Sequence, residues 1–218
     1  MSKVEEKKKN KQEALLASAF KLFTEKGINN TSISEIVKNA KMAKGTFYLY
    51  FKDKYDIRDR LITHKADRLF EIAYEELEKS EYDTLEDCIL FIVDNIVNQL
   101  SKNQSLMKFI SKNLSWSLFS NVRIGQLDNK SCMDIFDGII EDSGRNFRNI
   151  DTMIFMIVEL VNSTCYNAIL YASPVSLEQL KPDLHKCICG IMLACQLPTA
   201  RQMPVRVRRK SYLMPMKL

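Results

Sequence analysis

Residues 44–51 read Lys-Gly-Thr-Phe-Tyr-Leu-Tyr-Phe, four aromatics in eight positions, with Lys52 and Lys54 just beyond. On a helix, residues three or four apart share a face. Phe47 and Phe51 therefore fall together and can turn inward, while the hydroxyls of Tyr48 and Tyr50 point elsewhere. Lys44 and Thr46 open the segment on its outward side, and Gly45 lets a backbone come close. Hydroxyls, ammonium groups and bare backbone are what grip phosphates and reach base edges. The chemistry on offer is recognition of a polyanion, not bond making.

Rival chemistries find little support. The six cysteines lie at 88, 132, 165, 187, 189 and 195, with no C-x-x-C pair, and the two histidines are His64 and His185. Zinc-site spacing is absent, and no metal or cofactor is expected. Cys88, Cys132 and Cys165 lie in apolar helical patterns and read as buried thiols. Cys187 and Cys189 diverge by about 200° on a helix and do not share a metal easily. An enzyme or redox switch would have to use Cys187, Cys189, Cys195 or His185. No nucleophile–base pair, glycine-rich phosphate loop or metal cluster accompanies them, so the chain is not expected to be an enzyme.

The elements around the aromatic segment are legible from periodicity. Leu16, Ala19, Phe20 and Phe23 form a helical stripe over 7–26, stopped at Lys26-Gly27. Ser32-Ile33-Ser34-Glu35 fits a capping box and opens a short helix through Ala40. A turn of about three residues and a second short helix, roughly 44–50, complete a helix-turn-helix. A long helix follows from Lys54 to about 79. Beyond Tyr82 the pattern stays helical: 84–100, 104–119, 126–142, 151–172 and 176–196, the last with Pro182 inside it. Six glycines and five prolines are too few for a fold of many turns. The fold class is all-α: a three-helix head, 1–53, joined by a long helix to a helical body, 54–196, with about nine helices in total. A basic tail, 197–218, reads as flexible.

Charge follows the same division. Residues 1–60 carry 14 Lys and Arg against 8 Asp and Glu; residues 61–196 carry 12 against 19; residues 197–218 carry 6 against none. A basic head on an acidic body points to a polyanion met by the head alone. The apolar runs are shorter than the roughly 20 residues that span a bilayer, and the charged N-terminus is no signal peptide. A cytoplasmic protein without membrane contact is the expectation.

The run Thr31-Ser32-Ile33-Ser34-Glu35-Ile36-Val37, then Ala40, then Lys44-Gly45-Thr46-Phe47-Tyr48-Leu49-Tyr50-Phe51 and Lys54, closely resembles the TetR family of one-component transcriptional regulators. The match is sharp over about residues 10–60 and architectural beyond. The resemblance implies phosphate contacts from Thr31 or Ser32, Tyr48, Tyr50 and Lys54. It implies a homodimer formed by the last two helices, with Leu180, Leu184, Ile188 and Ile191 as the expected stripe. It also implies a palindromic double-stranded operator and a repressor released by a small-molecule effector. Two positions depart from the pattern: Lys41 stands where a turn glycine is usual, and Ala43 where a Ser or Thr caps the recognition helix.

In the body, Phe91, Met107, Phe109, Trp116, Phe119, Met133, Met156 and Tyr166 are candidate lining for an effector cavity, or simple core. Glu159, Asn162 and Tyr166 share one face of an otherwise apolar helix. Buried polar groups need partners, so they either grip an effector or bond across a dimer.

Overall fold

The structure, a computed structural model, describes residues 3–120 and 132–198. Within these, ten helices form and no strand does. The head holds α1 (Lys3–Lys26), α2 (Ile33–Asn39) and α3 (Lys44–Tyr48). The connecting helix is α4 (Lys54–Leu77). The body adds α5 (Leu85–Ser101), α6 (Gln104–Asn113), α7 (Trp116–Phe119), α8 (Cys132–Asp142), α9 (Ile150–Tyr171) and α10 (Leu177–Cys195). The all-α expectation holds. The calls on a helix start at 126 and on the basic tail lie largely outside the described residues.

Two apolar clusters organise the chain. The head cluster joins Leu15, Leu16, Ala19 and Phe23 of α1 to Ile36 and Val37 of α2, Phe47 of α3 and Phe51 just after it. Ile57, Leu61 and Ile62 of α4 close it, so the head's core runs past residue 53 into the connecting helix. Phe109 and Ile110 of α6 belong to this cluster as well. The body cluster is built on Leu69, Ala73, Ile89, Ile92, Met107, Phe119, Phe136, Met153, Ile157, Leu184 and Ile188.

The expected helix over 104–119 is two helices. α6 ends at Asn113, whose side-chain amide donates to the Phe109 carbonyl at 2.7 Å. Leu114 is extended (ψ 114°) and Ser115 starts α7. The break lets Phe109 face the head while Trp116 and Phe119, stacked at 5.4 Å, face the body. In α10, Pro182 is accommodated: the helix starts at Ser176, capped reciprocally with Gln179, and runs through the proline.

α9 is long and apolar enough to cross a membrane by length and composition, unlike the shorter runs read from sequence, yet only 28% of its most apolar window is buried. Phe155, Met156 and Tyr171 stand exposed on it, and Leu193 on α10. Leu184 and Ile188, expected at a dimer surface, instead pack inside their own protomer at 3% and 0% exposure. α9 and α5 pack on the face of α10 that carries Leu184 and Ile188, while Glu178, Asp183 and Lys186 lie on its outer face.

Candidate nucleic-acid interface

The head's reading edge is assembled from short-range signals. Ser32 caps α2: its hydroxyl accepts from the Glu35 amide at 3.3 Å, and the Glu35 carboxylate accepts from the Ser32 amide at 2.8 Å. Lys26, at the end of α1, pairs with the same carboxylate. That ammonium, with the Ser32 backbone and hydroxyl, lowers the Glu35 carboxyl to about 2. Ser18, buried in α1, donates to the Ile36 carbonyl at 2.7 Å and fixes α2 against α1.

The turn into α3 departs from its ideal chemistry at both expected places. Lys41 has φ 55°, the left-handed region. Its amide donates to Lys38 and the Met42 amide to Val37, at 3.1 and 2.8 Å. This is a Schellman closure made with lysine where glycine is favoured. Ala43 occupies the N-cap of α3 with no side-chain bond to offer.

Within α3 the sidedness matches the expectation. Phe47 and the following Phe51 are buried at 0% and 1%, their rings 5.5 Å apart. Lys44, Gly45, Tyr48 and Leu49 face outward, with Tyr48 at 54% and Leu49 at 78% exposure. Thr46 and Tyr50 are half-buried at the edges. A Cβ added at Gly45 meets nothing within 4 Å, so no packing inside the chain calls for glycine there. Leu49, more open than Tyr48, is absent from the residues expected to read DNA; its place opposite Phe47 and Phe51 was the available signal.

Two expected phosphate contacts point elsewhere. Thr31 is 2% exposed, and its hydroxyl donates to the Gly27 carbonyl at 2.8 Å, closing the end of α1. Lys54 turns its ammonium onto three carbonyls of the α1–α2 loop: Ile28 and Asn29 at 3.1 Å and Thr31 at 3.4 Å. Both side chains fold back because the loop ends with unpaired carbonyls that need donors. Ser32 remains exposed, but as the α2 cap. Asp53, at the start of α4, caps the Tyr55 and Asp56 amides at 2.7 and 2.9 Å.

The effector candidates separate into three groups. Met107, Phe119 and Met133 are buried in the body cluster, with Phe91 and Trp116 packed partly against it. Phe91 lies 5.3 Å from Tyr82 and Trp116 5.4 Å from Phe155. An apolar crevice of about 10 Å³ among Phe70, Tyr74, Ile92, Cys132, Ile135 and Phe136 marks the junction of α4, α5 and α8. Phe109 is a correction: it meets Phe20 at 5.5 Å and Phe23 at 6.4 Å in the head cluster, drawn there by the turn of α6 toward α1. Met156 and Glu159 are a second correction. They are exposed on the outer face of α9, because the inner face is taken by Met153, Ile154 and Ile157. Asn162 and Tyr166, half-buried, follow on that outer side, and Tyr166 meets Tyr171 at 6.1 Å.

The cysteine and histidine set does not converge. Burial pushes the Cys88 and Cys165 thiols up to about 11 and Cys132 well above its usual range. Cys187 is exposed while Cys189 is half-buried. His185 is engaged with Asp94 at 3.0 Å. Among the described residues no group of His, Cys, Asp and Glu could hold a metal ion.

Comparison with known proteins falls on the same residues. Residues 15–61 match the bacterial regulatory proteins of the tetR family. The HTH-type transcriptional regulator YvdT of Bacillus subtilis is 44% identical over 63 residues, 27% of this chain and 32% of that protein. This match and that to the regulator YuxN of the same organism span a third or less of the relatives' own length. The fatty acid metabolism regulator protein of Bacillus subtilis is 26% identical over 195 residues, 82% of this chain and 97% of that protein. Among solved structures, transcriptional regulator FadR from Bacillus subtilis in complex with stearoyl-CoA shares the fold. Its TM-score is 0.59 at 21% identity, with 80% of this chain and 96% of that one covered.

Proposed function

We propose that this chain is a helix-turn-helix transcriptional regulator of the TetR family that binds a palindromic operator as a homodimer, represses transcription there, and is released by a small molecule with a long apolar chain. The observation that carries the reading is the sidedness of α3. Phe47 and Phe51 anchor it in the head, while Lys44, Gly45, Tyr48 and Leu49 present two hydroxyl- or amine-bearing side chains, a bare backbone and an apolar tip to solvent. Such a surface suits insertion into a major groove, where side chains read base edges. Thr46 and Tyr50 flank it for phosphate contacts.

One five-residue helix reads too few bases for selectivity, so two heads must act together, about 34 Å or a multiple apart. Support for the dimer is the outer side of α9 and α10. An apolar helix with Phe155, Met156 and Tyr171 in water leaves a patch of the kind that marks an interface. Exposed Cys187, Gly190 and Ala194 on α10 are small enough for two helices to approach closely. Glu159 and Ser163 then lie between protomers, not in a pocket.

The effector belongs in the apolar body among α4, α5, α7 and α8. The named ligand of the FadR structure, stearoyl-CoA, and the name of the fatty acid metabolism regulator favour a long-chain acyl compound. An acyl chain that wedges the body open displaces α6, and Phe109 passes that movement to Phe20 and Phe23 in the head. Operator affinity changes because the two heads no longer match the half-site spacing.

The test is selection of duplex from a random pool by the purified full chain, followed by titration with palmitoyl-CoA and stearoyl-CoA. The expected result is an inverted repeat, bound two chains per site and released by acyl-CoA. Binding should fall steeply between 50 and 200 mM salt. A strictly monomeric chain that selects no sequence overturns the proposal.

A further inference from the structure

A second concavity lies between head and body, away from the reading face of α3. It is a groove of about 580 Å³, within the range of small-molecule sites. One wall is the end of α1 and the loop after it, with Phe23, Ile28 and Asn30; the other is α6, with Lys108, Phe109 and Lys112; Arg58 of α4 closes it. Three cations line it: Lys108 and Lys112, and Arg58, which is paired with Asp59 at 2.6 Å. This is unusual for a body in which acids outnumber bases 19 to 12 over residues 61–196. Lys108 and Lys112 stand four apart on one helical face, an unfavourable like-charge spacing, and neither has an ion-pair partner among the described residues. Ser105, in the first turn of α6, brings the positive end of that helix to the same groove. Phe23 and Phe109 lie packed beneath it, and the ring of Tyr55, 47% exposed, stands at its edge.

We propose that this groove binds a small phosphate-bearing molecule of nucleotide type, its phosphates on Lys108 and Lys112 and its ring toward the exposed Tyr55. A duplex is too wide and convex to enter a groove of this volume, so the cations are not placed for an operator backbone. The occupant ties α6 to α1 and α4, the elements through which a body movement would reach the head. That coupling rests on the DNA-binding reading; the binding itself does not.

The experiment is calorimetric titration of the full chain with ADP and, separately, with free coenzyme A, which carries the same chemistry on a pantetheine arm. Each is repeated on Lys108→Gln/Lys112→Gln and on the control Lys186→Gln, which lies on α10. Saturable binding of either probe, weakened about tenfold or more in the double variant and unchanged in the control, is expected. ADP binding assigns the groove to a free nucleotide; binding of coenzyme A alone assigns it to the polar end of a thioester. Absence of binding by both at millimolar concentration, or equal binding by the double variant with unchanged circular dichroism, overturns the proposal. So does a duplex affinity whose salt slope falls in the double variant, since that makes the lysines DNA contacts. A chain that binds ADP but no duplex removes the DNA reading and leaves the groove.

Discussion

Lys54→Met separates a structural clamp from a phosphate contact. The Lys54 ammonium spends its donors on the carbonyls of Ile28, Asn29 and Thr31. Hydrogen bonds from a charged donor contribute about 1.5–3 kcal/mol each. The bond to Thr31, at 3.4 Å, is weak, and the partly exposed site lets water replace some of what is lost. Methionine keeps a flexible apolar stem but also removes the ammonium that lies 5.6 Å from the Tyr55 ring centroid. We therefore expect a net loss of about 2 kcal/mol, read by denaturant unfolding and by faster amide exchange over residues 27–32. A phosphate contact predicts something different: unchanged stability, and a log–log salt slope for operator binding shallower by about 0.9 per phosphate, so about 1.8 for a dimer. An unfolding midpoint that does not move, together with that loss of slope, refutes the clamp.

Other substitutions test the reading surface and its caps. Gly45→Ala should stabilise the head by up to about 1 kcal/mol through helix propensity, since the new methyl meets nothing in the chain; operator affinity should nonetheless fall at least tenfold, and an unaffected affinity would show that DNA does not approach there. Ala43→Ser should add about 1 kcal/mol by capping α3, visible as slower amide exchange in its first turn; equal exchange rates argue against an unmet cap. Glu35 titrates at about 2 instead of 4.5. Because its folded pKa is depressed, its contribution is full above 4.5 and disappears as pH falls toward 2. Glu35→Gln should flatten that part of the stability profile, and an identical acid limb in the variant contradicts the assignment.

Local chemistry was the legible part of this fold. The Ser32–Glu35 box, the Gly27 stop and the departures at Lys41 and Ala43 depend on residues within four positions, and each takes the geometry its neighbours dictate. The inward turn of Phe47 and Phe51 follows from helical period alone. What sequence did not reveal depends on distant partners. Thr31 and Lys54 have side chains suited equally to a phosphate and to a carbonyl, and the Lys54 ammonium reaches loop carbonyls up to 26 residues away. Residues 104–119 contain neither proline nor glycine, so nothing local marks the break at Leu114. It exists because Phe109 and Trp116 are claimed by different clusters. In α10, the packing of α9 and α5, distant in sequence, takes Leu184 and Ile188 inside.

The placement of Phe109 constrains how head and body can communicate. Its ring is wedged between Phe20 and Phe23 of α1, while two residues earlier Met107 is 1% exposed in the body core. A helix of ten residues that contributes to two cores cannot shift in one without disturbing the other, because packed interiors transmit displacement instead of absorbing it. The extended link at Leu114 frees α6 from α7, so α6 can pivot without dragging Trp116 along. Truncating Phe109 should therefore do more than lower stability. It should leave operator binding in place while weakening the response to any effector of the body, because the contact that carries the movement is gone. A variant Phe109→Leu that folds, binds duplex and is released by effector as readily as the parent would place the coupling in α4 instead.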